Sequence, residues 1–161
     1  MPTWICDTSP ICYFARLGLL HILPNMLDQL VVPQAVVNEI DTGRAQHPNL
    51  PDLRLLNWVH ITQPPSTPPE ISRHQLGPGE TEAIALAHSL SDTCILLDDF
   101  QARQEATEKG IPVRGTLALL LMAKEKNLVQ EVGPLIDQLD ALGFRVSDAV
   151  RETILEIAGE T

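Results

Sequence analysis

Five carboxylates sit where the 161-residue sequence passes from one local pattern to the next. Asp7 closes the apolar run Thr3-Trp4-Ile5-Cys6. Glu39 lies in the last turn expected of a helical segment starting at Gln34, with Asp41 close behind. Glu80 opens a helical run after Leu76-Gly77-Pro78-Gly79, and Asp98-Asp99 closes Cys94-Ile95-Leu96-Leu97. In parallel α/β sheets chemistry collects beyond the carboxyl ends of the strands. Asp7 and the Asp98-Asp99 pair therefore converge if their strands are neighbours. Converging carboxylates repel and raise one another's pKa, and a divalent cation is the usual compensation. Oxygen ligands select a hard ion, Mg²⁺ or Mn²⁺, rather than zinc.

Each acid also has a plain structural reading. Asp7 could cap the helix that follows, and so could Asp98 or Asp99, although two adjacent acids exceed what one cap requires. Glu80 in a first helical turn is welcome to the macrodipole. Glu39 has no such excuse, because an anion near a helix C-terminus is unfavourable. Together these acids at element ends point to a metal-dependent site.

Other chemistries find less support. The five histidines (His21, His47, His60, His74, His88) are scattered without i, i+4 pairing, and Cys6, Cys12 and Cys94 lack zinc-type spacing. Buried free thiols are the expected state of the cysteines. No Gly-x-Ser-x-Gly, Walker or dinucleotide fingerprint is present. A haloacid-dehalogenase-type phosphatase needs a second Asp two residues after the first, where this chain has Ser9, and no set of residues matches a receiver domain.

The elements that must position these acids alternate between short apolar strands and helices. Strands are expected at 3–7, 30–32, 58–61, 94–97 and 111–113. Helices are expected from Pro10, with Ser9 as the cap, then at 34–41, 80–90, 100–109, 116–126, 131–142 and 147–158. The stretch Gln63-Pro64-Pro65-Ser66-Thr67-Pro68-Pro69 can be neither helix nor inner strand and reads as a surface connection. The alternation predicts an α/β layer with a mainly parallel sheet, in a single domain over 1–161 with the 131–158 helical pair packed on it. With 44% hydrophobic and 20% charged residues, disorder and coiled coil are excluded. No apolar run is long enough to span a membrane, no secretory signal is visible, and a cytoplasmic location is expected.

The order and spacing of several motifs resemble those of PIN-domain nucleases. These are Asp7-Thr8-Ser9-Pro10 after a strand, Val36-Val37-Asn38-Glu39-Ile40, Leu76-Gly77-Pro78-Gly79-Glu80-Thr81-Glu82-Ala83-Ile84-Ala85, Ile95-Leu96-Leu97-Asp98-Asp99 with Arg103, and Gly115-Thr116-Leu117. The resemblance runs from Thr3 to about Ala158, to a prokaryotic branch similar to VapC-type toxins. It implies a PIN-like three-layer α/β/α fold with a short, mainly parallel central sheet, and Mg²⁺- or Mn²⁺-dependent hydrolysis of phosphodiester bonds in single-stranded RNA. It implies Asp7, Glu39, Glu80 and Asp99 as catalytic metal ligands, with Asp98 as an outside candidate. Thr8 or Ser9 would hydrogen-bond the first carboxylate, and Thr116, standing where many such nucleases carry another acid, would hold water at the metal. The toxin half of a toxin–antitoxin pair, with an antitoxin protein as partner, is the corresponding role.

Charge qualifies that reading. Eleven Lys and Arg against 21 Asp and Glu leave a net −10, whereas proteins that hold nucleic acid by phosphate neutralisation are usually basic. The locally positive stretch with Arg103, Arg114, Lys124 and Lys126 is the expected RNA-facing side. Apolar stripes on the last two helices could serve a homodimer or an antitoxin helix beyond their packing on the domain. Arg145 and Arg151 against seven acids over 131–160 argue against duplex-DNA binding by this chain alone. The alternative function is a PIN-like scaffold, weak or inactive as an enzyme, that binds protein or RNA.

Overall fold

A computed structural model describes residues 2–65 and 75–161; residues 66–74, with most of the proline-rich connection and His74, lie outside the described residues. Five parallel strands, β1 (Thr3–Cys6), β2 (Leu30–Pro33), β3 (Val59–Thr62), β4 (Thr93–Leu96) and β5 (Val113–Arg114), form one sheet in the order β3-β2-β1-β4-β5. Eight α-helices are present among the described residues. They are α1 (Thr8–Arg16), α2 (Leu23–Met26), α3 (Gln34–Gly43), α4 (Pro78–Ser89), α5 (Phe100–Glu108), α6 (Thr116–Glu125), α7 (Gly133–Ala141) and α8 (Asp148–Ala158).

β1, β2 and β4 read as continuous apolar runs because both of their faces are covered. Alternation then sorts their side chains. Trp4, Cys6, Leu30, Val32, Cys94 and Leu96 join a larger core with Ile11 and Phe14 of α1, Leu119 and Leu120 of α6, and Ile136 and Leu139 of α7. Ile5, Val31, Ile95 and Leu97 face a smaller core built largely from alanines of α4 and α5. The result is the expected three-layer α/β/α arrangement with an all-parallel sheet. Each fully buried Ile, Leu or Phe contributes roughly 1.5–3 kcal/mol to it.

Local differences from the expected boundaries have simple causes. β5 is Val113–Arg114 rather than 111–113, because Pro112 has no N–H for the ladder; its carbonyl still accepts from Ile95 N at 2.9 Å. Ser9 does not cap α1, since its hydroxyl donates to Asp98 instead, and Asp7 occupies the N-cap position without a side-chain cap bond. Cys6, Cys12 and Cys94 are all free thiols. Among the described residues, no helix is long and apolar enough to cross a membrane.

The two C-terminal helices are held differently. α7 buries Ile136 and Leu139, whereas α8 has no fully buried residue and rests on half-buried Ile154 and Leu155. The chain beyond α8 is pinned at Glu160. Its carboxylate accepts from Val132 N at 2.7 Å, Gly133 N at 2.9 Å and Lys124 Nζ at 2.7 Å. Glu160 thereby caps α7, whose own N-cap Val132 has no side chain to do so. Desolvation pushes the Glu160 carboxyl up, but Lys124 and the two N–H groups outweigh it and bring the carboxyl from 4.5 to about 2.

Glu160→Gln should therefore lower stability by about 1–2 kcal/mol in urea unfolding at pH 7. A carboxyl depressed on folding contributes stability above its unfolded pKa and loses it as pH falls through the folded value. The gap between wild type and variant should accordingly close between pH 4.5 and about 2. A constant gap across that range would show that Glu160 acts through packing rather than charge.

Candidate active site

The sheet changes direction at β1: the chain runs outward through β2 and β3, then returns to place β4 on the other side. That switch point is where open α/β sheets leave a crevice at the strands' carboxyl ends. β1 and β4 pair with Cys6 opposite Leu96, and Asp7 N donates to Leu96 O at 3.1 Å. Asp7 and Asp98 thus emerge side by side. α3 brings Glu39 to the same edge and the start of α4 brings Gly79 and Glu80.

Glu39 is clamped from two directions. Thr8 Oγ1 donates to Glu39 Oε2, and Gly79 N donates to Oε1 at 2.9 Å. Gly79 is required here by space. A Cβ at this position would lie 2.7 Å from Glu39 Oε2 and 3.0 Å from Asp7 Oδ1, so both carboxylates crowd the place a side chain would take. Gly115 plays the same part for Asp98, since its Cβ would lie 2.9 Å from Asp98 Oδ1 and 2.6 Å from Arg103 Nη1. Asp98 accepts from Ser9 Oγ, from Thr116 N at 2.8 Å and from Thr116 Oγ1 at 2.7 Å.

The electrostatics record the crowding. Asp7 is only 6% exposed. Burial above all pushes its carboxyl up from 3.8 to about 7. The N–H of Thr8 pulls the other way, and the charges of Glu80, Glu39 and Asp98 add to the rise. Glu80 is likewise raised from 4.5 to about 7, first by burial and then by Asp99 and Glu39. Five acids therefore sense one another at one sheet edge.

The structure separates the roles expected of neighbouring residues. Both members of the Asp98–Asp99 pair belong to the cluster: the charge of Asp98 acts on Asp7, and that of Asp99, whose Oδ2 accepts from Ala102 N at 3.0 Å and caps α5, acts on Glu80. The two neighbours are held by different elements: Ser9 of α1 and Thr116 of α6 hold Asp98, and Ala102 N of α5 holds Asp99. Thr8 and Ser9 were expected on the Asp7 carboxylate; their hydroxyls serve Glu39 and Asp98 instead. Thr116, fully buried, gives its hydroxyl to Asp98.

One positioning residue had no visible signal. Glu82 Oε1 accepts from Ala35 N at 3.0 Å and satisfies the first turn of α3, where N-cap Pro33 has no side-chain cap bond. It ties α4 to the helix that carries Glu39. Of the cations expected on the RNA side, Arg103 and Arg114 lie in a groove that reaches Asp98. Lys124 is paired with Glu160, and Lys126 is exposed at the end of α6.

The donor set is all-carboxylate oxygen, which fits a hard divalent cation, and burial and mutual repulsion leave two of its members with charge that lacks compensation. Among the described residues, no three Asp, Glu, His or Cys side chains stand ready as a shared metal cage; Glu39 and Asp98 are held by hydroxyl and N–H donors at the edges of the cluster. A family model described as a PIN domain matches residues 3–160 of the chain. No curated protein matches it.

Two outcomes follow. A carboxyl raised on folding stabilises the protein below its unfolded pKa and loses that contribution as pH rises through the folded value. Metal-free protein should therefore melt a few degrees higher at pH 5.5 than at pH 8, and Mn²⁺ should raise the melting temperature more at pH 8, where the carboxyls are ionised. A melting temperature indifferent to both would contradict the crowded cluster. Gly79→Ala should keep the fold but displace Glu39, abolishing the Mn²⁺-induced rise in a thermal shift measurement.

Proposed function

The chain belongs to the PIN-domain family, and from that premise we propose that it is a divalent-metal-dependent endoribonuclease that hydrolyses phosphodiester bonds of single-stranded RNA. The observation that carries the proposal is the gathering of Asp7, Glu39, Glu80 and Asp98 beyond the carboxyl ends of β1 and β4. Asp7, Glu39 and Glu80, with Asp99 or Asp98, would hold Mg²⁺ or Mn²⁺. A bound divalent ion supplies Lewis-acid activation of water and offsets the charge that builds on phosphate and leaving oxygen.

The rest of the work is positional and belongs to this chain. Thr8 and the Gly79 N–H orient Glu39. Ser9 and Thr116 orient Asp98. Burial keeps bulk water from Asp7, and a proton held on its raised carboxyl would leave when a cation takes its place. At the scissile phosphate, affinity would then come from the bound ion, which the formal charge of −10 omits.

The biological role we attach to this activity is the toxin half of a toxin–antitoxin pair, regulated by an antitoxin protein. One observation favours a second reading, a catalytically weak scaffold that binds protein or RNA. Thr116 brings no charge to the position where many PIN nucleases have an acid, and its hydroxyl is engaged by Asp98.

Incubation with mixed single-stranded RNA and Mn²⁺ distinguishes the two. Cleavage should be abolished by chelator and should fall at least a hundredfold in Asp7→Asn. Equal cleavage by wild type and variant would mean a contaminating nuclease. No cleavage with any divalent ion would favour the scaffold.

A further inference from the structure

The charges that this acidic chain leaves unpaired are not spread evenly. Among the described residues, Arg44, Arg54, Lys109, Lys124 and Arg151 are committed to carboxylates. Three of the cations without such a partner, Arg103, Arg114 and Arg145, line a single groove of about 510 Å³ that opens on Asp98. Arg103 is the innermost, its Nη1 donating to Leu97 O at 3.2 Å beside Gly115. Arg114 and Arg145 are exposed farther out.

The same groove holds an aromatic ring that burial does not explain. Phe100, the first residue of α5 and two positions after Asp98, is 73% exposed and lines the groove. Phe144 across from it is fixed edge-on against Tyr13 at 5.0 Å, part of the groove wall rather than a free surface. An exposed aromatic face beside a row of arginines is the combination by which proteins bind single strands: bases stack on the ring and phosphates meet the cations. A second cavity, of about 390 Å³ and lined by Ala35, Asn38, Glu39, Thr42 and Pro78, reaches Glu39 but offers phosphates no cation.

We propose that single-stranded RNA reaches the acid cluster along the Arg103–Arg114–Arg145 groove, with one base stacked on Phe100 and successive phosphates on Arg114 and Arg145. The assignment rests on the nuclease reading and gives it a direction: the strand lies across α5, β5 and the start of α8, not across Lys124 and Lys126 at the far end of α6. An extrahelical base on Phe100 requires an unpaired strand, so duplex RNA is excluded from the productive path.

Fluorescence anisotropy of a labelled oligouridylate of about ten nucleotides, with chelator present so that binding is read without cleavage, tests this. Phe100→Ala should weaken binding roughly tenfold, and Phe100→Trp should restore it. Arg114→Glu with Arg145→Glu should weaken it at least tenfold and flatten the salt dependence, whereas Lys126→Glu should leave it within about twofold. Duplex RNA of the same length binding as tightly, with no response to Phe100→Ala, would overturn the stacking assignment. Indifference of the oligonucleotide to all groove variants would overturn the path and leave the groove to another ligand, such as a protein segment. The two readings fail separately. Metal-dependent cleavage lost in Asp7→Asn but binding untouched by the groove variants sinks only the path. Groove-dependent binding without cleavage under any divalent ion sinks only the nuclease.

Discussion

Repulsion between carboxylates held in a poorly solvated crevice is the constraint around which this fold is arranged. A parallel sheet delivers strand ends, and with them Asp7 and Asp98, to one edge whether or not their charges agree. Burial then raises the cost of ionising Asp7, and Glu39 and Glu80 raise it further. Such a cluster persists because other elements over-determine it. Hydroxyls from the first turn of α1 and amides from the starts of α4 and α6 each hold an oxygen in place, and two glycines leave room for the carboxylates. Tension of this kind is typical of sites whose groups are set for a ligand rather than for stability.

Charge elsewhere in the molecule is divided to suit. Surface ion pairs such as Arg44–Asp41 and Arg151–Asp137 are half-exposed and contribute little. The capping carboxylates, Glu82 at α3 and Glu160 at α7, do more, because each satisfies N–H donors that the helix itself leaves open. Three of the basic side chains left over from these tasks, Arg103, Arg114 and Arg145, line one groove that reaches Asp98. A net-acidic protein can therefore present a phosphate-compatible approach without being basic as a whole.

Much of this was legible from residues. Continuous apolar runs around Ile5, Val31 and Ile95 announced strands covered on both faces, and the acids at their ends announced the edge that matters. The PIN-domain family was readable from the order of motifs. Finer assignments were not, for identifiable reasons. Asp98 and Asp99 are adjacent and chemically identical, and only the fold shows that Ser9 and Thr116 take the first and the N–H of Ala102 the second. Thr8 and Ser9 were assigned to the nearest carboxylate in the chain, whereas the turn into α1 carries their hydroxyls across to α3 and β4. Glu82 could not be found without the fold, because its partner, Ala35, lies 47 residues away on another helix. The groove with Phe100 and Arg145 joins α5 to the loop before α8, a juxtaposition that no local pattern encodes.

The two tight glycines carry one further consequence. Gly79 and Gly115 are demanded by occupancy, since the volume of even a methyl group is already taken by oxygen atoms of Asp7, Glu39 and Asp98. Each therefore reports on the acid it shields. A descendant or cousin of this chain that tolerates alanine at either place must have let the matching carboxylate move or disappear, so a single small residue becomes a readable marker of whether the acid cluster still exists.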